Sequence, residues 1–131
     1  MNYEFAERVA QAAFAQAMAF FQPSPEWRPE LRRDVIDDAE ICAQCWTKPN
    51  YFIAHIVYDP DNCENGAELW RVIGHEVAHL LSTEYTVLEG MLPERYHSYS
   101  NHANEVLTTR LERLFLRHHP YPGDEKFAEA N

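Results

Sequence analysis

The sequence has little cysteine, a shortage of positive charge and no long apolar run. Three cysteines in 131 residues are an odd number and too few for a disulfide scaffold. The simpler reading is three reduced thiols in a reducing cytoplasm. Eleven Lys and Arg stand against 21 Asp and Glu, a formal net charge of −10. A nucleic-acid binder or a protein made for an anionic membrane surface needs a basic patch, so neither partner is expected. No apolar run approaches the ~18 residues of a membrane-spanning helix. Internal repeats and low-complexity segments are also missing. What is present is ordinary for a globular protein: 46% hydrophobic and 24% charged residues, fitting one domain over residues 1–131 that can build a core without staples.

The chain punctuates itself with proline. Residues 3–22 read as an alanine-rich helix, with Phe5, Val9, Ala12 or Ala13, Gln16 and Phe20 as its stripe. Its apolar part resembles a signal peptide in length, but Glu4, Glu7 and Arg8 precede it where a positive segment would be needed. Pro23, Pro25 and Pro29 end that helix. Residues 30–38 fit either a short helix or an edge strand. Residues 39–46 and 51–58 are two β-prone runs joined by Thr47-Lys48-Pro49-Asn50, the pattern of a β-hairpin. The second run is either an edge open to an extended peptide or a central strand. A helix is expected over 67–82, where Leu69, Ile73, Val77 and Leu80 repeat at helical spacing. Gly90 and Pro93 mark a loop. A last helix is expected from about 99 to 117, its apolar face being Ala103, Val106, Leu107, Leu111, Leu114 and Phe115. The tail from Gly123 reads as loose. The fold class is therefore α+β: an N-terminal helix, a small hairpin-based sheet, then two helices.

Chemistry enters with His75-Glu76-Val77-Ala78-His79, an HExxH pattern in the predicted second helix. Residues four apart on an α-helix stand one above the other, so the two imidazoles can converge on one ion. A catalytic Zn²⁺ takes three protein ligands plus water. Glu76, beside the first histidine, is placed to take a proton from that water. Downstream candidates for the third ligand are Glu84, Glu89, Glu94, His97, His102 and Glu105. Glu105 is the choice, because it sits on a well-formed helix with room for an antiparallel return.

HEVAHLL followed by a glutamate on a later helix resembles the gluzincin branch of zinc metallopeptidases. The order of strand (YFIAHIVYDP), loop, HExxH helix, loop and glutamate helix is similar to small bacterial and prophage peptidases, the minigluzincins and the ImmA/IrrE-type proteases. The resemblance covers about residues 39–117. It implies a zincin-like domain in which His75, His79 and Glu105 bind Zn²⁺ and Glu76 is the catalytic base. Asn104-Glu105 echoes the asparagine–glutamate pair of thermolysin-like enzymes. The HExxHxxGxxH extension of metzincins is missing, since Tyr85 stands where its third histidine would be.

The implied activity is zinc-dependent hydrolysis of peptide bonds in a peptide or protein substrate. The alternative from another class is a non-catalytic zinc-binding regulatory module or a phage structural component. A hydrogen-bond donor to the tetrahedral oxyanion is also needed. Tyr85, Tyr96, Tyr99, His97 and His102 lie near the expected ligands, and His102, one turn before Glu105, is preferred as a second catalytic residue. Cys42, Cys45 and Cys63 make a poor zinc set. Only one CxxC is present, and on a strand its two thiols point to opposite faces.

Overall fold

The computed structural model describes residues 1–48, 51–91 and 93–128, with side chains at 84–90, 99 and 100 left out of the description. The chain forms three long helices and a three-stranded sheet. Helix α1 spans Tyr3–Phe21. Asn2 starts it by accepting hydrogen bonds from the amides of Glu4 and Phe5 at 2.8 and 3.1 Å. Gln22 ends it in a left-handed conformation, φ 47°, its N–H bonded to the Met18 carbonyl.

The buried stripe of α1 is Ala6, Val9, Ala10, Ala13, Ala17 and Phe21, so the expected stripe is rotated. Of its members only Val9 and Ala13 are fully inside. Phe5 and Phe20 flank the stripe, and Gln16 meets His119 Nδ1 at 3.0 Å. The four alanines let α1 approach its neighbour closely, and that small-residue surface outweighs the size of the phenylalanines.

Strands β1 (Arg28–Arg33), β2 (Ala43–Lys48) and β3 (Ile53–Tyr58) form a sheet of order β1-β3-β2. β3 is therefore central: parallel to β1, with Arg28 opposite Ile53, and antiparallel to β2, with Ala43 opposite Tyr58. The region 30–38 resolves into an edge strand over its first residues, which is why Pro29 is tolerated there. The expected hairpin exists with its strands shifted toward the C-terminus. Its Pro49-Asn50 tip lies outside the described residues. Leu31, Ile56 and Cys45 share one register row on the inner face.

The turn after β3 does more than end the strand. Buried Asp59 accepts from the amides of Ile36 and Asp61 at 2.9 and 3.0 Å. Asn62 Nδ2 donates to the carbonyls of Ile36, Asp38 and Ile41 at 2.9, 3.1 and 3.0 Å. These bonds hold the segment that leads into β2. Beside them Cys42 and Cys63 form a disulfide, with Cα atoms 5.0 Å apart. The expectation of three reduced cysteines is thus corrected. The antiparallel return of β3 carries Cys63 back to the start of β2, where the Asp59 amide also bonds the Cys42 carbonyl at 2.9 Å. The inference of a reducing cytoplasm loses its basis with it. Cys45 remains a free thiol.

Helix α2 runs from Gly66 to Met91, well past the expected end at Ser82 and through Gly90. Asn65 caps it, accepting from the Glu68 amide at 2.9 Å. Leu69, Ile73, Val77 and Leu80 are all buried as the spacing predicts. Helix α3 spans His97–His118. Of its expected apolar face Phe115 is buried and Leu107 and Leu111 are half-buried, but Ala103, Val106 and Leu114 are exposed, and Thr108 and Glu112 are buried instead. The tail as far as residue 128 is also not loose. Phe127 is buried against Phe5, Trp70 and Tyr121, and its carbonyl accepts from Arg8 Nε at 2.7 Å. Among the described residues no helix is long and apolar enough to cross a membrane.

Candidate metal centre

The site stands where α2 crosses α3. His75 and His79, one turn apart on α2, have ring centroids 4.9 Å apart and ring planes 79° from parallel. Glu105 approaches both from α3: its Oε2 is 4.0 Å from His75 Nε2 and its Oε1 is 3.7 Å from His79 Nε2. One ligand atom from each of the three lies within 4.8 Å of the other two. Two imidazole nitrogens and a carboxylate are a donor set suited to Zn²⁺. The three sequence-predicted ligands are therefore brought together from two successive helices.

Close helix packing makes the convergence possible. Gly74, immediately before His75, faces the ring of Phe115 on α3. A β-carbon there would meet ring atoms at 2.6 and 2.7 Å. Further along, Ser82 and Thr108 hydroxyls meet at 3.4 Å between the helices, and Ser82 and Thr83 both donate to the His79 carbonyl. These contacts fix the spacing and rotation of the helix pair around the ligands.

Sequence reasoning missed a second layer. Glu112, 6% exposed, accepts from Arg71 at 2.9 Å and lies 3.3 Å from His75 Nδ1. A carboxylate at Nδ1 keeps the proton there and turns Nε2 toward Glu105. The available signal was weak: Glu112 is two helical turns past Glu105, and Arg71 is one turn before His75. An acidic side chain inside the Leu111–Phe115 run needs a buried partner, and His75 with Arg71 is that partner.

The two histidines are pushed in opposite directions. Hydrogen bonding to Glu112 raises His75 above the ordinary imidazole range against the opposing effect of burial. Burial lowers His79, helped by the nearby His75. Glu76 is raised to about 7, chiefly by burial, with Glu105 and Glu112 adding to it and His75 opposing. It faces the cleft between α2 and β2, with Ile41, Ala43, His75 and His79 around it. Cys45, also in that wall, is pushed up to about 12 by burial and the charge of Glu76, so its thiol is unreactive.

β3 has both edges paired, so it cannot accept an extended peptide. β2, whose second edge is free among the described strands, lines the cleft with Gln44, Cys45 and Thr47. His102 is exposed one turn before Glu105 and shares a groove with it. It is not among the three converging ligands, and neither are Glu94 and His97. The side chains of Glu84, Tyr85, Glu89 and Tyr99 lie outside the described residues. Comparison with protein-family models, with curated proteins and with solved structures finds no match.

Proposed function

We propose that this chain is a zinc-dependent peptidase of the gluzincin type, acting on an extended peptide segment. The observation that carries the reading is the convergence of His75, His79 and Glu105 beside a half-buried Glu76 in a cleft lined by β2. His75, His79 and Glu105 would hold the ion. A bound zinc supplies a Lewis acid for the scissile carbonyl and makes water acidic enough to lose a proton near neutrality. The chain does the rest. β2 offers backbone groups for strand addition, which holds the peptide extended along the cleft. Glu76, half-buried in the cleft beside the histidine pair, accepts a proton from the attacking water and returns it to the departing amine. Glu112 and Arg71 keep His75 in register. His102 is assigned as a donor toward the developing oxyanion from the α3 side.

The test is Glu76→Gln in the zinc-loaded chain. Zinc content should stay at one per chain while peptide hydrolysis falls by ~10²–10⁴-fold. Hydrolysis at the wild-type level would remove Glu76 from the mechanism. A wild-type chain that binds one zinc and cleaves no peptide in a broad mixture would instead be a non-catalytic zinc module.

A further inference from the structure

A shallow, open groove of about 370 Å³ runs along one face of α3, lined by His102, Glu105, Val106, Thr109, Arg110 and Arg113. It begins at a metal ligand and ends between two arginines. Spacing accounts for its shape: His102, Val106, Arg110 and Arg113 form one row along the helix, and Glu105 and Thr109 form the next. With ~1.5 Å of rise per residue, Arg110 and Arg113 stand about 8 and 12 Å along the axis from Glu105. An extended chain advances ~3.3 Å per residue, so the arginines match side chains about two to four residues from the reacting peptide bond.

The charge distribution gives the groove its selectivity. The chain carries −10 overall, yet α3 holds Arg110, Arg113 and Arg117 against only Glu105 and Glu112. Both glutamates are committed, Glu105 to the metal set and Glu112 to His75 and Arg71. Arg110 and Arg113 are exposed and make no ion pair among the described residues. An arginine with no partner among the described residues breaks no internal ion pair when it turns to a substrate carboxylate, which its planar fork can bind through two hydrogen bonds.

We infer that Arg110 and Arg113 form a subsite for acidic side chains, making this an enzyme for peptides with aspartate or glutamate a few residues from the cleavage point. The inference rests on the peptidase reading for its biological use, but its binding step can be measured separately. The probes are short fluorescein-labelled peptides with a block of glutamates on the N-terminal or C-terminal side of an apolar centre. Their controls carry glutamine in place of glutamate. Binding is followed by anisotropy to zinc-loaded Glu76→Gln protein.

In one of the two orientations the glutamate peptide should bind about tenfold tighter than its glutamine control at low salt, with the preference shrinking at high salt. Arg110→Gln with Arg113→Gln should abolish that preference. Arg110→Lys with Arg113→Lys should restore part of it, and Arg117→Gln, outside the groove, should leave it intact. Equal binding of glutamate and glutamine peptides in both orientations overturns the subsite, as does a preference that survives loss of both arginines. Such a result alongside wild-type peptide cleavage would leave the peptidase reading standing. Arginine-dependent preference in a chain that cleaves nothing would support the subsite and sink the peptidase reading.

Discussion

At the scale of single residues, Glu112 shows what an acidic side chain does inside a helix interface. Burial pushes its carboxyl up, but hydrogen bonds from His75 and Arg71 hold it below the ordinary value. The same contact raises His75. In the metal-free chain the carboxylate's share of stability is complete above the ordinary 4.5 and is lost as pH falls through its lowered value. The imidazole's share is complete below the ordinary 6.5 and is lost as pH rises through its raised value. The stability difference between wild type and Glu112→Gln, both metal-free, should therefore be largest between pH 4.5 and 6.5. Thermal melts across pH would find a flat difference if the pair did not form. Glu112→Gln should also weaken zinc binding by ~10–100-fold, because Nδ1 loses the partner that fixes the ring. A competition titration with a chelating dye reads this directly. His75, Glu76 and His79 were legible as a spacing, whereas Glu112 was not, since its importance lies in a partner 37 residues away.

Between elements, the decisive contact is α2 against α3. Gly74 is an expensive residue in a helix interior, worse than alanine by ~1 kcal/mol. It is explained by the Phe115 ring, which occupies the space a methyl would take. Gly74→Ala should gain that helix propensity and lose more to overpacking, for a net loss of about 1–2 kcal/mol. It should also weaken zinc binding, because Phe115 and Glu105 ride on one helix. A urea midpoint and a zinc titration would separate the effects. A stabilised variant with unchanged zinc affinity would mean that the helices can shift freely. The apolar pattern of α3 misled for a related reason. Val106 and Leu114 are exposed and Thr108 is fully buried, since the inner face is chosen by Ser82, His75 and Gly74 across the interface. Helix period predicts a stripe; the partner helix decides which stripe is used.

Across the whole molecule, the segment feeding β2 is held by Asp59, Asn62 and the Cys42–Cys63 disulfide. The bridge closes a loop with a sequence separation of 21. Replacing both of its cysteines with serine should cost about 2–4 kcal/mol through the freer unfolded chain. Thiol titration of the unfolded, unreduced protein should count one thiol, that of Cys45, and a count of three would refute the bridge. The sequence alone determined the α+β class, the three long helices and the hairpin in their order, and a histidine pair one turn apart on one helix. It could do so because period, proline punctuation and HExxH spacing are local. It also singled out Glu105, since a carboxylate on a return helix is the remaining donor that topology favours. Only the tertiary structure decided the rest: β3 at the centre between the edge strands β1 and β2, Cys42 bonded to Cys63, Phe127 folded back onto Trp70, and Glu112 beneath His75. Each is a pairing between distant positions, selected by packing and desolvation, and no window of sequence contains both partners.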